Sequence, residues 1–407
     1  MSFKDLGLSD PILKTLKRLD YLTPTEIQTK TIPLILSGKN ILASAKTGSG
    51  KTAGFVLPIL EKLRSLKSPK NKNANALIIT PTRELTAQIQ QNVLNYGRNM
   101  SITSASVYGG VKIFPQKNKL KNGVGILVAT PGRLLDLMNQ KAIFLSSVEI
   151  LVLDEADLML DMGFLNDIKK ILRQLPQRRQ NLMFSATFSS EIRSLAKNLN
   201  NNLIEVMTAS SNSTVESVAQ KIYAVDKENK SKLLCYLINE YRWSQVLVFS
   251  RTKHGTEKIA KQLNKFGIEA ITIHGNKSQN ARTRALKDFK SLKAQVLVAT
   301  DVAARGIDVN DLPYVVNYDL PAIPNDYVHR IGRTGRAGKE GNAISFFGAD
   351  DGRHLKAINQ LTKLSLRPEV IEGFEPSFDL NKPIKTPRSL SKGKKKSKRY
   401  FGRARRR

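Results

Sequence analysis

The stretch Ala45-Lys46-Thr47-Gly48-Ser49-Gly50-Lys51-Thr52 has the residue types and spacing of a phosphate cradle. It follows the apolar run Asn40-Ile41-Leu42-Ala43 and leads into Ala53-Gly54-Phe55-Val56-Leu57, a context of strand, loop and helix. Gly48 and Gly50 let the backbone curl, so that the N–H groups from Thr47 through Ser49 to Thr52 turn toward phosphate oxygens. The dipole of the following helix adds to the same anion site. Lys51 can then reach the β/γ-phosphates, and the Thr52 hydroxyl can hold Mg²⁺. Ala45 stands where the usual pattern opens with Gly. A glycine-rich turn before a helix is the bland alternative, and Gly-Lys-Thr at the helix start argues against it. Farther on, Asp154-Glu155 closes another apolar run. There Asp154 would hold Mg²⁺ through water, and Glu155 would orient or deprotonate an attacking water. Alone, two surface carboxylates would be the commoner explanation; a phosphate loop upstream favours catalysis.

These groups need a scaffold that lines them up. Short apolar runs recur between stretches of helical spacing: 76–79, 125–128, 150–153 and 182–184, then 246–249, 270–273, 296–299, 315–318 and 343–346. Continuous apolar strands alternating with helices predict parallel sheets covered on both faces, an α/β fold. Polar clusters follow most runs directly, as in Thr80-Pro81-Thr82-Arg83, Thr130-Pro131-Gly132-Arg133, Ser185-Ala186-Thr187, Ser250-Arg251-Thr252 and Thr300-Asp301. Such clusters share the carboxyl edge of a sheet, where open α/β folds bind ligands. The two halves repeat this organisation and predict two similar domains, 1–208 and 218–366. The polar stretch 209–217 reads as the linker, and 367–407 as a basic extension without regular structure.

The net charge of +32 over 407 residues predicts a polyanionic partner, either nucleic acid or an anionic membrane surface, and makes acidic proteins possible partners. Arg388 to Arg407 holds eleven basic residues and no acid; removing those eleven from +32 leaves +21 elsewhere. That block reads as disordered alone, either a sequence-independent nucleic-acid arm with Tyr400 and Phe401 for stacking or a solubilising tail. A lone cysteine, Cys235, excludes an internal disulfide framework and reads as a small buried hydrophobe. The N-terminal residues carry no signal-peptide core and no apolar run reaches transmembrane length, so a cytoplasmic protein is expected (nuclear, if the source is eukaryotic).

Asp154-Glu155-Ala156-Asp157 resembles the motif that names the DEAD-box RNA helicases, and the family's other motifs follow in order from Phe3 to Gly338. The resemblance implies two RecA-like domains joined by a flexible linker, with ATP and Mg²⁺ in the cleft and RNA across both domains. It implies that Gln28, in Pro24-Thr25-Glu26-Ile27-Gln28, reads adenine and that Phe3 stacks on the base. RNA contacts are implied for Pro81, Arg83, Gly109, Gly110, Thr130, Pro131, Gly132 and Arg133 in domain one. In domain two they are implied for Thr252, Gly255, Gln279, Arg282 and Thr300. Gly306 and Asp308 are similar to the positions that meet the nucleotide, and Arg333 and Arg336 to arginine fingers that reach the γ-phosphate on closure. Ser185 and Thr187 resemble the motif that links hydrolysis to strand separation, and His329 would couple to the Asp157 region.

The expected activity is an RNA-dependent ATPase that locally unwinds short duplexes or remodels RNA–protein complexes, as a monomer, in ribosome assembly or RNA decay. The short N-terminus and basic tail look most like the bacterial RhlE-type subgroup. An RNA-annealing or clamp protein acting through its tail is the alternative, and intact Lys51, Glu155 and Arg336 argue against it.

Overall fold

Along the buried strands, alternate side chains enter different cores, and this two-residue period sets the architecture. Ala76, Ile78, Ile126, Val128, Ile150 and Val152 face one apolar cluster, whereas Leu77, Ile79, Leu127, Ala129, Leu151 and Leu153 face the other. Both faces of the sheet are therefore apolar and must be covered. The helix Lys51–Leu63 covers the first with Phe55, Val56 and Leu60, and the helices Pro131–Asn139 and Leu165–Leu172 cover the second.

The computed structural model describes residues 2–44, 48–66, 69, 71–200, 202–208, 218–304, 309, 311–335 and 341–380. The first sheet holds β1 (Ile41–Ser44), β2 (Ala74–Ile79), β3 (Ser104–Val107), β4 (Val124–Ala129), β5 (Ile150–Leu153), β6 (Gln180–Ser185) and β7 (Ile204–Met207). The second holds β8 (Val218–Ala224), β9 (Val246–Phe249), β10 (Ala270–Ile273), β11 (Val296–Ala299), β12 (Tyr314–Asn317), β13 (Gly341–Phe347) and β14 (Pro368–Glu369). Their orders are β3-β4-β2-β5-β6-β1-β7 and β10-β11-β9-β12-β13-β8-β14. One order maps onto the other strand for strand, and every pairing is parallel. The chain is thus two RecA-like α/β domains with their strand ends on one edge of each sheet.

Sheet membership changes between Met207 and Val218; the expected linker at 209–217 lies outside the described residues, as do Thr47, Gly306, Asp308, Arg336 and the tail from 381 onward. One expectation is corrected. Residues 367–380 were assigned to the irregular extension, yet β14 pairs with β8 and Phe374 and Phe378 lie against Tyr236 and Phe347 of domain two. Apolar residues spaced along an otherwise polar segment bury enough surface to hold it there. Among the described residues no helix is long and apolar enough to cross a membrane.

Candidate nucleotide and RNA site

Lys51 opens its helix directly behind Gly50, whose φ of +90° is left-handed. A side chain here would be strained, and its Cβ would also lie 2.4 Å from Gln28 Nε2. That close approach joins the phosphate loop to the segment expected to read adenine. Gln28 Nε2 donates to Gly50 O at 3.0 Å, and its Oε1 accepts from Thr25 N at 3.0 Å in a capping box. An amide has two donors and two acceptor sites, so half of its capacity remains for a base edge.

A cavity of about 640 Å³ opens beside this junction, lined by Gln28, Gly48, Lys51, Thr52, Asp154 and Glu155 among others. Lys51 is 7% exposed, and its Nζ is buried without a hydrogen-bond partner. A buried ammonium left unpaired is costly, and a triphosphate would supply the missing partners. Asp154 is buried at the end of β5. Burial pushes its carboxyl up to about 7; Lys51 pulls it back down, whereas Glu155 adds to the rise. The Thr52 hydroxyl and Asp154 carboxyl offer the few oxygen ligands suited to Mg²⁺, which keeps waters and leans on phosphates. Glu155 has φ +52°, a conformation that costs a non-glycine residue about 1–2 kcal/mol and makes the sharp strand-to-helix turn.

Asp157 ties this site to the neighbouring strand end. Its Oδ2 accepts from Ala186 N at 3.0 Å, Thr187 N at 3.1 Å and Thr187 Oγ1 at 3.4 Å, and its Oδ1 accepts from Leu158 N. Ser185 is fully buried at the end of β6, and Thr187 N also reaches its Oγ at 3.4 Å.

Phe3 requires a correction. It is 4% exposed inside the first apolar core and does not line the cavity, so neither face of its ring is available to a base. Tyr21 lines the cavity instead, 41% exposed, with its hydroxyl 3.4 Å from that of Tyr96. Its place just before the capping box was the available sequence signal.

The expected RNA residues of domain one gather at the ends of β2, β3 and β4, which are neighbours in the sheet. Pro81 follows β2, Gly109 and Gly110 follow β3, and Thr130 to Arg133 follow β4. The Arg83 guanidinium lies against Gly110, where a Cβ would clash with it at 1.8 Å. Arg133 Nη2 donates to Val111 O at 3.1 Å, and Gly132 is open to solvent.

In domain two, Thr252 caps the helix Lys253–Lys265 by accepting from Gly255 N at 3.0 Å, and Thr300 follows β11. Gln279 and Arg282 were expected at RNA; both are buried and bonded to Glu84 of domain one instead. His329 lies on the helix Pro324–Ile331, and Arg333, 6% exposed, follows it. Arg330, unassigned from sequence, pins that helix. Its Nε and Nη2 donate to the two Asp301 oxygens at 2.6 and 2.8 Å, and its Nη1 to Asn317 Oδ1 at 3.0 Å and Asp319 O at 2.6 Å.

Two sheets of one order, joined by buried contacts where their strand ends meet, define a two-domain phosphate-loop protein. Comparison with known proteins narrows that class. Residues 25–195 match the DEAD/DEAH box helicase family and residues 229–338 the Helicase conserved C-terminal domain. The chain is 42% identical over 384 residues to the DEAD-box ATP-dependent RNA helicase CshA of Streptococcus pneumoniae, covering 94% of this chain and 72% of that one. It is 40% identical to CshA of Bacillus subtilis, covering 89% and 73%. Among solved structures, Saccharomyces cerevisiae Dbp5 bound to RNA and ADP BeF3 matches with a TM-score of 0.78 at 31% identity, covering 91% of this chain and 95% of that one. A DEAD box protein from Methanococcus jannaschii matches with a TM-score of 0.52 at 40% identity, covering 91% and 99%. The chain belongs to the DEAD-box ATP-dependent RNA helicases and, with that family, is an RNA-dependent ATPase.

Proposed function

We propose that this helicase works by closing its two domains around ATP and RNA, so that each ligand favours the binding of the other. The supporting observation is the similarity in overall arrangement to Dbp5 bound to RNA and ADP BeF3. That chain matches at 0.78, whereas the more identical Methanococcus jannaschii chain matches at 0.52. A whole-chain score falls when like domains are placed differently, so the comparison favours the Dbp5-like placement for this chain.

On this reading the phosphate loop and Lys51 hold the triphosphate, Gln28 fixes the base edge and Glu155 orients the attacking water. Thr52 and Asp154 would hold Mg²⁺, which when bound neutralises charge on the phosphates. Arg333 and Arg336 complete the site only on closure, a contribution that reaches ~10³-fold or more in related nucleotidases. Pro81, Arg83, Gly109, Gly110 and Thr130 to Arg133 grip the RNA backbone from domain one, and Thr252, Gly255 and Thr300 from domain two. Contacts of this kind carry little sequence preference. Closure bends the bound strand and opens a short duplex, and Asp157 transmits the nucleotide state through Ala186 and Thr187 to the RNA edge. We further infer a cytoplasmic monomer of the RhlE type acting in ribosome assembly or RNA decay; the net charge of +32 and the single cysteine support a nucleic-acid partner in a reducing compartment.

Steady-state ATPase without nucleic acid, with single-stranded RNA and with matched DNA tests the reading. Strong stimulation by RNA, weak stimulation by DNA and at least a ~100-fold loss in Glu155→Gln are expected. A Glu155→Gln variant that turns over ATP at the parent rate would remove the catalytic assignment.

A further inference from the structure

Phe114 follows Gly110 by four residues and stands in the open. At 68% exposure it is the most exposed aromatic ring among the described residues. Local packing puts it there. On the helix Ile113–Leu120, Ile113, Gln116 and Leu120 share the inner face. Leu120 lies in the second apolar cluster of domain one, Ile113 packs against that cluster, and Gln116 is buried. Phe114 falls on the outer face with Lys117 and Asn118, three and four residues on. Neither apolar cluster of domain one includes its ring.

The segment that carries the ring is braced. Gln116 Oε1 accepts from Tyr108 N at 3.0 Å, and its Nε2 donates to Tyr108 O at 3.3 Å and Lys112 O at 3.2 Å. Arg133 holds the same loop at Val111 O, and Gly110 turns it with a φ of +76°. A ring presented on a fixed turn loses little freedom when it meets a ligand.

Its place on the sheet says what that ligand is. β3 is the outer strand of the first sheet, with β4 and then β2 inside it. The residues assigned to the RNA backbone therefore form a track along the strand ends. It runs from Pro81 and Arg83 after β2, through Thr130 to Arg133 after β4, to Gly109 and Gly110 after β3. Phe114 stands just past the outer end of that track. Residues 111–122 hold Lys112, Lys117, Lys119 and Lys121 and no acid. The first turn of the helix has no acidic residue and no side-chain cap, so its dipole adds to the positive charge. A ring among cations suits a nucleic-acid strand, whose bases stack while its phosphates meet lysines. A protein partner would need a wider apolar patch.

We propose that Phe114 stacks on a base of the bound RNA where the strand leaves the domain-one track. The proposal rests on the backbone grip assigned to domain one and adds to it a contact with a base. A base stacked on the ring gives up a neighbour in an A-form helix, so the ring limits how far a duplex can extend toward the grip. Stacking accepts any base, in keeping with a helicase of little sequence preference.

The test is RNA binding by the full-length protein with a non-hydrolysable ATP analogue, using single-stranded RNA in which one nucleotide at a time lacks its base. Phosphate and ribose remain, so only base contacts are lost. At one position the loss should weaken binding to the parent roughly 5- to 100-fold, the range of base–aromatic stacking. Phe114→Ala should bind intact RNA about as weakly, and removing that base should then cost it less than about twofold. Phe114→Trp should keep the penalty, and Phe114→Leu, apolar but without a ring, should lose most of it. All three variants should match the parent in melting temperature and in ATPase without RNA, since the ring packs into no core. Equal penalties in the parent and Phe114→Ala at every position would overturn the proposal, as would an affinity for intact RNA unmoved by Phe114→Ala. Arg83→Ala keeps that failure apart from a failure of the grip. If Arg83→Ala binds RNA like the parent, the domain-one grip is wrong and the place given to Phe114 goes with it. A weakened Arg83→Ala beside an unmoved Phe114→Ala removes the stacking alone.

Discussion

A ring that stacks on a base must leave a face open, and this turns the stacking role away from Phe3, to which the resemblance gives it, and toward Tyr21. Phe3 is enclosed by the domain-one core, whereas Tyr21 stands at the cavity with 41% of its surface exposed. Tyr21→Ala is therefore expected to raise KM for ATP by roughly 5- to 100-fold, the range of base–aromatic stacking, with little change in melting temperature. Phe3→Ala should instead cost about 3–5 kcal/mol of stability by leaving a cavity, and the folded fraction should bind ATP normally. Thermal melting and ATP titration on both variants check the pair. A raised KM at unchanged melting in Phe3→Ala would return the stacking role to that residue.

At the scale of elements, the central strands were legible because they are apolar on both faces, as in Ile150-Leu151-Val152-Leu153. β3 (Ser-Ala-Ser-Val) and β7 (Ile-Glu-Val-Met) were missed, and both are sheet edges. β8 was missed too: it is covered on its outer side only by the two-residue β14, and Gln220 and Lys221 interrupt its apolar pattern. Strands at or near an edge tolerate polar positions, so no continuous run marks them. The strand-end motifs were legible for the same reason as the central strands that carry them. What no local pattern could supply was Glu84 meeting Gln279, 195 residues away. The tie between strand ends at Asp157 belongs to this scale as well. Asp157→Asn keeps one carbonyl acceptor where two oxygens now accept, so its N–H₂ group must face either the Leu158 amide or the Ala186 and Thr187 amides, all of which donate. The expected outcome is RNA-stimulated ATPase within about threefold of the parent and duplex unwinding reduced by about tenfold or more, a coupling loss of ordinary size. A strand-displacement assay run beside phosphate release checks it. Equal losses in both would show that Asp157 serves hydrolysis itself rather than its transmission.

For the whole molecule, the segment after the last helix decides where domain two ends. Leu364, Leu366 and Phe378 lie against the cluster that contains Phe347, and Ile371 and Phe374 against the one that contains Trp243 and Phe346. Ser377 donates from both its backbone N and its Oγ to Asp226 at 2.9 Å, and β14 covers the outer side of β8. A polar clasp on two aromatic anchors explains why a segment with little regular structure stays on the domain. Its removal would uncover Phe347, Tyr236 and a strand of the sheet at once. A chain ending at Leu366 should therefore lose about 3–5 kcal/mol, a fall of roughly 5–15 °C in the melting temperature of domain two. A chain ending at Leu380 keeps every one of these contacts and lacks residues 381–407, thirteen of which are basic. It should melt with the full-length protein and differ from it in RNA affinity at low salt, where contacts to phosphate dominate. Calorimetry on the two truncations, with RNA binding measured at two salt concentrations, separates the brace from the tail. If the Leu366 chain melts with the parent, the segment is only draped on domain two and the boundary expected from sequence stands.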